Sequence, residues 1–287
     1  MLLRAPNVFL LVLMVMLASC GAGGSATSQP TPSQASVTSG NSVTWMINRS
    51  ALDRLQAAGW PETTLKQFFD NTHTYVIGQM PTGWQSISTL SFTSYGDLKK
   101  AFATNTIPAS VQAILYDNEA WTFTPLEEQL HFSTFIKDVA DLVHSHQKFL
   151  IATPAADLVR VLDPHGEGDT YTRFLSLNII KDAAQYADLV EIQAQGSEAS
   201  TQKYAQFVHL ASLQAKASHS RIVVLAGLST NPSGQKMTGQ QLLDAFHATR
   251  SDVSGYWLNI PGSQGGYCPR CGLPQPQVAI DFLQRIS

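Results

Sequence analysis

Short apolar runs alternate with longer amphipathic segments from residue 43 to the end of the chain. The longer segments repeat apolar residues at helical spacing, as at Phe132, Phe135, Ile136, Val139 and Val143. The predicted strands are 43–47, 74–77, 87–92, 113–116, 149–152, 189–194, 222–226 and 255–260. The predicted helices are 51–58, 64–70, 96–103, 125–146, 172–186, 202–217, 238–249 and 277–286. Strands that alternate with helices predict right-handed βαβ units and a parallel sheet.

Eight such strands predict a (β/α)8 TIM barrel, an α/β fold with a typical length of about 250 residues. The first strand, 43–47, is the weakest of the set. Without it, a seven-stranded barrel variant or an open doubly wound sheet becomes competitive. No glycine-rich phosphate loop follows any strand, because residues 165–169 lack the spacing of either nucleotide fingerprint. We therefore expect no cofactor.

The first residues have the pattern of a secretory leader. Arg4 precedes an apolar run over 8–17, which is too short to span a bilayer. Residues 17–21 read Leu-Ala-Ser-Cys-Gly and resemble the lipobox of bacterial lipoproteins, in which the cysteine is lipidated and becomes the first mature residue. The resemblance implies a signal peptide over 1–19, a lipid on Cys20 and a membrane-anchored protein on the extracytoplasmic face. The alternative is an ordinary signal peptide with a chance cysteine.

The next segment predicts a tether. Residues 21–44 carry no charge and consist mostly of Ser, Thr, Gly, Ala, Gln and Pro. Such a segment cannot bury a core, so we expect a flexible linker over 20–44 and one folded domain over 45–287. The chain has 18 basic and 21 acidic residues, and loss of Arg4 leaves 17 against 21, a net charge of -4. This mild balance gives no support for nucleic-acid binding and favours neutral partners.

Two cysteines stand in the folded domain, Cys268 and Cys271, with Pro269 and Arg270 between them. Outside the cytoplasm this spacing predicts a small disulfide-closed loop. A thioredoxin-like motif would open a helix, whereas Gly272 and two prolines follow here. A zinc site needs two further ligands, and no partner pair of suitable spacing is present, so we expect no metal.

The most informative stretch follows the predicted strand 113–116, where Asp117 and Glu119 stand one residue apart. Side chains alternate along a strand, so both acids share a face at its carboxyl end. Ligands and catalytic groups collect at that end in barrels and open α/β sheets. Two neighbouring acids cannot both ionise freely, and one can be kept protonated as a general acid. The structural alternative is a helix cap with a salt bridge to a neighbouring loop.

Strand 189–194 combines polar and apolar residues in alternation. Glu191, Gln193 and Gln195 share one face, which we expect to point into the barrel, while apolar side chains face the helices. Buried polar groups are costly unless they are hydrogen-bonded or used in function. The sequence therefore predicts either a ligand site or a satisfied polar network at this strand.

Further candidate ligands for a site follow other strands. Strand 255–260 contributes Trp257 and Asn259, or Tyr256 if the register is shifted by one residue. The remaining candidates are Tyr95, Trp121 and Asn231. Trp257 can instead be a core residue without a ligand. Trp121 can instead fix the start of the helix at 124–125, with Thr124 as N-cap. Amides and carboxylates bond sugar hydroxyls and aromatic rings stack on sugar faces, so this set predicts a carbohydrate site.

At these residues the chain resembles the family 18 chitinase-like glycoside hydrolases, which are (β/α)8 barrels. That family ends its fourth strand in Asp-x-x-Asp-x-Asp-x-Glu. The resemblance implies that Glu119 is the acid, that Asp117 positions the substrate acetamido group and that Trp257 forms the floor of the sugar subsite. The chain departs from the family at Gln112 and Leu115, where the first two Asp residues belong. It also has no clear counterpart of the Tyr on strand 6.

Two mechanisms and two functions follow. Glu119 can work with Asp117, or with Glu191 as nucleophile or base across the barrel mouth, since most glycosidases use two carboxylates. The leading hypothesis is a surface-tethered glycoside hydrolase. The alternative is a lipoprotein that binds a glycan or cell-wall fragment without cleaving it. The absence of two of the family's four signature acids is what a barrel adapted to binding would show.

Overall fold

The chain folds into a closed barrel of eight parallel strands in the order β1 to β8. The computed structural model describes residues 43–263 and 268–287. The strands are β1 Thr44–Asn48, β2 Thr74–Ile77, β3 Ile87–Phe92, β4 Ala113–Tyr116, β5 Phe149–Ala152, β6 Leu189–Ile192, β7 Val223–Ser229 and β8 Gly255–Asn259. The predicted TIM barrel is confirmed.

The first strand closes the barrel. β1 pairs in parallel with β2, where Trp45 lies opposite Thr74, and with β8, where Thr44 lies opposite Gly255. Trp45 is buried and its ring packs edge-on against Phe69 and Phe282. The open sheet and the seven-stranded variant are therefore wrong, because β1 has both a partner on each side and a buried aromatic anchor.

Helices cover the outside of the barrel. They are α1 Arg49–Ala57, α2 Glu62–Phe69, α3 Tyr95–Ala103, α4 Leu126–Leu130, α5 Phe132–Ser145, α6 Val159–Leu162, α7 Thr170–Ser176, α8 Ile179–Tyr186, α9 Thr201–Ser218, α10 Gly239–Thr249 and α11 Pro276–Arg285. The predicted helix 125–146 is two helices, because His131 leaves helical geometry at φ -117° and ψ 39°. The predicted helix 172–186 also divides, at Asn178, whose φ of 56° is left-handed. Thr124 is not an N-cap, since Pro125 takes that position.

Two apolar layers hold the barrel together. Inward-facing residues, among them Met46, Leu115, Ile151 and Leu225, form one cluster inside the barrel. Outward-facing strand residues pack with the helices in a second, larger cluster. Strands buried on both faces need apolar residues at almost every position. Polar side chains inside the barrel are therefore exceptions that need a reason.

Several sequence predictions lie outside the described residues. These are the signal peptide 1–19, the lipidated Cys20 and the tether up to residue 42. Within the described ranges, none of the helices combines the length and apolar character that a membrane crossing requires.

Glu128 of α4 fixes the carboxyl end of β4. Its carboxylate is 4% exposed and accepts hydrogen bonds from the hydroxyl of Tyr116, at 2.8 Å, and from the backbone N–H of Tyr95, at 2.7 Å. The Ser94 hydroxyl donates a third bond, at 3.2 Å. Several donors on one carboxylate offset the cost of burying it. This contact ties β4 to the start of α3.

Asn118 extends the same network to the residue between the two predicted acids. Its Nδ2 donates to the Tyr116 hydroxyl, at 3.0 Å, and to the backbone carbonyl of Glu128, at 3.3 Å. Asn118 is fully buried on this outer side of the barrel. Because neighbouring side chains on an extended segment point to opposite faces, Asp117 and Glu119 turn to the inner side.

Loss of the Glu128 carboxylate should destabilise the fold. Glu128→Ala leaves the buried phenol of Tyr116 and the partly buried backbone N–H of Tyr95 without their acceptor, so we expect the free energy of unfolding to fall by roughly 3 kcal/mol. Glu127→Ala is the matched control, since the side chain of Glu127, the residue before Glu128, is 71% exposed. This substitution should change the free energy of unfolding by about 0.5 kcal/mol or less. Urea unfolding of both variants measures the difference. Equal losses in the two variants would contradict the role assigned to Glu128.

Candidate active site

A cavity of about 1080 Å³ opens at the carboxyl ends of the strands. This is the face at which barrel proteins carry their sites. Asp117 and Glu119 line it, together with the predicted binding residues Gln193, Gln195, Trp121, Trp257 and Asn259. The strand-end rule therefore brings seven of the candidate residues to one cavity.

Gln193 joins the two acids. Its Nε2 lies 3.4 Å from Asp117 Oδ1 and 3.4 Å from Glu119 Oε1, and it donates to the backbone carbonyl of Thr153 at 3.0 Å. The Thr153 hydroxyl donates to Asp117 Oδ1 at 2.8 Å. Residues that follow β4, β5 and β6 thus converge on one carboxylate pair.

Burial and mutual repulsion separate the two acids in pKa. Desolvation raises the pKa of Asp117 to about 6, against the hydrogen bond from Thr153 that favours its ionised form. Desolvation, and then the negative charge of Asp117, raise the pKa of Glu119 to about 8. The pair therefore favours a state with one proton and one charge at neutral pH, and the larger rise in pKa assigns the proton to Glu119. One carboxylate beside one carboxylic acid is the equipment of general acid catalysis.

Glu191 lies on the predicted face but deeper inside the barrel. It is fully buried, and its Oε1 accepts a hydrogen bond from Gln195 Nε2 at 3.4 Å, while its Oε2 has no partner among the described residues. Desolvation, followed by the charges of Asp117 and Glu119, raises its pKa well above the usual value. A neutral carboxyl group that does not line the cavity is poorly placed as a nucleophile or base. The arrangement therefore favours Asp117 over Glu191 as the partner of Glu119.

Gly227 of β7 makes room for this buried acid. A Cβ atom at Gly227 would lie 2.1 Å from Gln195 Nε2 and 2.5 Å from Glu191 Oε1. Any side chain here would displace one of the two groups. This dependence was not predicted, because a glycine inside a strand can also mark a bulge, a bend or a close approach of another backbone.

The register of β8 follows the first of the two predicted alternatives. Trp257 and Asn259 line the cavity. Tyr256 faces outward, where its hydroxyl donates to the backbone carbonyl of Phe246 at 2.8 Å. Trp121 combines both of its predicted roles, since it lines the cavity and its Nε1 donates to Thr124 Oγ1 at 2.8 Å.

Tyr95 and Asn231 are not brought into the cavity wall. The Tyr95 ring packs edge-on against Phe135 of α5, with centroids 5.9 Å apart. Asn231 is buried, and its Nδ2 donates to the backbone carbonyl of Cys271 at 2.7 Å. Tyr95 packs one helix against another and Asn231 binds the segment around Cys271. Strand-end position alone does not distinguish such contacts from contact with a ligand.

The cavity residues that were not predicted from the sequence include Asn48 and Asp157. Asn48 ends β1, and Asp157 lies in a short 3-10 helix after β5. The Asp157 carboxylate accepts from the backbone N–H of Ala120 at 3.0 Å, and its charge raises the pKa of Asp117 and of Glu119. The same strand-end rule applied to β1 and β5 would have found both.

The predicted disulfide between Cys268 and Cys271 is present, and both residues line the cavity. It closes a short loop on the cavity rim. No cluster of three or more His, Cys, Asp or Glu side chains suited to a metal ion occurs in the part of the chain that the structure describes.

Comparisons with known proteins give only distant likenesses. No family model and no curated protein matches the chain. The catalytic domain of a family GH18 chitinase from the fern Peteris ryukyuensis is 15% identical, with 77% of this chain and 76% of that chain covered and a TM-score of 0.41. A family 17 beta-1,3-glucanosyltransferase from Rhizomucor miehei is 11% identical, with 83% and 97% covered and a TM-score of 0.43. Similarities this low are no evidence for an activity. The barrel fold is established by the strand pairing of this chain itself.

The raised pKa values make stability depend on pH. The folded protein holds protons on Asp117 and Glu119 that the unfolded chain releases near pH 4, so stability is lost as pH rises from about 4 towards about 8. Glu119→Gln removes the Glu119 share of this loss. At pH 8.5 we expect it to be more stable than the wild type by roughly 1–3 kcal/mol, after allowance for solvent screening.

Urea unfolding at a series of pH values between 4 and 9 measures this effect. Glu127→Gln, on the exposed side of α4, is the control and should follow the wild type throughout. A Glu119→Gln variant whose stability falls with pH as steeply as that of the wild type would show that Glu119 does not hold the proton.

Proposed function

We propose that this protein hydrolyses glycosidic bonds, with Glu119 as general acid and Asp117 as the ionised carboxylate. The observation that carries the proposal is the acid pair itself. Asp117 and Glu119 line one cavity, share the Gln193 amide and differ in pKa, at about 6 and about 8. Most glycosidases use one protonated and one ionised carboxyl group at the same time.

The proposed reaction uses each group in its neutral-pH form. Glu119 donates its proton to the glycosidic oxygen while the bond from that oxygen to the anomeric carbon breaks, and the leaving sugar departs as an alcohol. The Asp117 carboxylate stabilises the positive charge that develops at the anomeric carbon. Water then adds its hydroxyl to that carbon, and its proton returns to the Glu119 carboxylate.

The rest of the cavity wall supports a carbohydrate as the substrate. Trp121 and Trp257 present aromatic surface, and Gln195 and Asn259 present amides. Amides recognise hydroxyl groups, and aromatic rings cover the apolar faces of sugar rings.

The activity itself is tested with Glu119→Gln and Asp117→Asn. Wild-type mature protein is incubated with a panel of chitin oligosaccharides, β-glucans and peptidoglycan fragments, and the products are measured. Each substitution should lower kcat on the cleaved glycan by about 10²–10⁴-fold, because it removes one of the two essential groups. Glu127→Gln is the control and should retain wild-type activity.

The pH profile of kcat/KM gives an independent readout. Activity requires ionised Asp117 and protonated Glu119, so it should rise as pH passes about 6 and fall as pH passes about 8. Full hydrolysis by Glu119→Gln would refute the proposed mechanism. Binding of a glycan without cleavage by the wild type, with affinity kept in Glu119→Gln, would instead establish the non-catalytic carbohydrate-binding function.

We also propose that the protein is lipid-anchored at Cys20 on the extracytoplasmic face of the membrane. The leader, the Leu-Ala-Ser-Cys-Gly motif and the uncharged segment 21–44 support this location. The Cys268–Cys271 disulfide is consistent with it, because disulfides persist in oxidising compartments.

Cys20→Ser should abolish the anchor. In bacterial cells given a clickable fatty acid, the wild type should carry the label and sediment with membranes, because a lipid chain holds it there. The Cys20→Ser variant should lack the label. Equal labelling of the two proteins would contradict lipidation at this residue.

A further inference from the structure

Asp157 lines the cavity that holds the acid pair, but the proposed reaction gives it no step. It lies in the 3-10 helix Ala156–Leu158, between β5 and α6. Its neighbours Leu158 and Val159 are buried, so the core fixes this short helix. The backbone therefore holds the Asp157 carboxylate at the cavity wall.

Two hydrogen bonds tie the segment after β5 to the segment that carries Glu119. The backbone N–H of Ala155 donates to the backbone carbonyl of Asn118 at 2.9 Å. The backbone N–H of Ala120 donates to Asp157 Oδ1 at 3.0 Å. Asn118 and Ala120 are the residues on either side of Glu119. The two bonds thus bracket the proposed general acid, and one of them depends on the Asp157 side chain.

The far end of the loop after β4 is held by its own βα unit. Gln129 Nε2 donates to the backbone carbonyls of Trp121 at 2.8 Å and of Thr124 at 2.7 Å. Close to the acid the support from this unit is weaker, since the backbone N–H of Glu119 lies 3.4 Å from Thr124 Oγ1. Beside Glu119, the shorter bond is the one that Asp157 supplies from the neighbouring βα unit.

The charge of Asp157 has little compensation. Arg160 of α6 pairs with it, but the distance from Arg160 Nη1 to Asp157 Oδ2 is 3.9 Å and the Arg160 side chain is 73% exposed. Exposed pairs of this kind attract each other weakly. Within the described residues, the other cation at the cavity wall is Arg54, and its guanidinium donates to the backbone carbonyl of Ile260. The charge of Asp157 therefore acts mainly on its acidic neighbours.

Glu119 is surrounded by acids from three strand ends. Asp117 faces it from β4 and Asp157 from the segment after β5, while β6 contributes Glu191 and the amide of Gln193. Desolvation raises the pKa of Glu119 most, and the charges of Asp117 and then of Asp157 raise it further. A negative charge disfavours the formation of a second one nearby, so Asp157 opposes the loss of the proton from Glu119.

We propose that Asp157 is a positioning residue for the proposed general acid. Through Ala120 its carboxylate fixes the backbone beside Glu119, and its charge keeps the proton on Glu119 until the glycosidic oxygen accepts it. The inference rests on the proposed function for the use of that proton. The retention of the proton is a property of the folded protein alone and can be measured without a substrate.

Two substitutions separate the hydrogen bond of Asp157 from its charge. Asp157→Asn keeps an oxygen that can accept from Ala120 and removes the charge. Asp157→Ala removes both. Asp244→Asn is the matched control, because Asp244 is exposed on α10, does not line the cavity and loses the same charge.

The first measurement follows the proton itself. In protein labelled with ¹³C at the glutamate carboxyl groups, NMR gives the titration of each group, and Glu119→Gln identifies the Glu119 signal. In Asp157→Asn this signal should titrate about 0.5–1 pH unit lower than in the wild type. Asp244→Asn should titrate like the wild type. Identical titration of Glu119 in Asp157→Asn and in the wild type would overturn the inference.

The second measurement is the pH profile of kcat/KM on the cleaved glycan. In Asp157→Asn the fall at high pH should begin about 0.5–1 pH unit lower, because Glu119 loses its proton more easily. At its optimum this variant should keep kcat within about threefold, since the amide oxygen still accepts from Ala120. Asp157→Ala should show the same shift and also lose kcat by roughly tenfold, because one of the bonds that place Glu119 is gone.

The outcomes separate this inference from the proposed function. A loss of activity at every pH without a shift of the profile would show that Asp157 is merely structural, and it would overturn the inference while leaving the enzyme. If the wild type cleaves no glycan, the proposed function fails. A Glu119 titration that moves in Asp157→Asn would then still support the effect of Asp157 on the proton, and one that does not move would overturn both proposals.

Discussion

Burial of carboxyl groups without a counter-ion is the constraint on which the site depends. Asp117, Glu119 and Glu191 converge on the inner side of the strand ends, and none of them takes part in an ion pair within the described chain. Amide and hydroxyl donors from Gln193 and Thr153 stabilise only part of the charge. The folded state responds by keeping protons on the acids. The same response that costs stability at high pH creates a proton donor beside a carboxylate.

Another acid, Glu128, shows how a buried carboxylate with a structural role is stabilised. Glu128 receives donors at 2.7, 2.8 and 3.2 Å and ties β4 to α3. Glu191 receives one donor at 3.4 Å and leaves its other oxygen unpaired within the described residues. Both acids are buried, so burial alone does not mark a functional group. The number and geometry of the hydrogen-bond donors therefore distinguish Glu128, which ties two elements of the fold together, from Glu191.

Much of the fold is predictable from the sequence because burial patterns are local. Strands β2, β3, β4 and β5 have the predicted bounds. Strand β1 lies within one residue of its predicted bounds. Whether it joins the barrel could not be predicted from its own residues, since its anchor is the packing of Trp45 against residues far away in the chain. The helix breaks at His131 and Asn178 were missed because backbone dihedral angles, not hydrophobic spacing, set them.

The site was predictable where it follows the alternation of a strand. Asp117, Glu119, Gln193 and Trp257 reach the cavity for that reason. Tyr95 lies after a strand end too, but its ring finds an aromatic partner on α5, and only tertiary packing decides between the two positions. Strand-end position is therefore a good guide to which residues are near a site and a poor guide to which of them line it.

The interior of the barrel explains why one glycine matters to the acids. In the register of β7 with β8, Gly227 lies opposite Trp257. The side chains nearest to the missing Cβ of Gly227 are those of Glu191 and Gln195. The two long polar side chains fill the space that a side chain at Gly227 would need. A Cβ at Gly227 would therefore force the Gln195 amide or the Glu191 carboxyl group to move. The depth of Glu191, and with it the position of Gln195 on the cavity wall, is therefore set by a residue that has no side chain and takes no part in the chemistry.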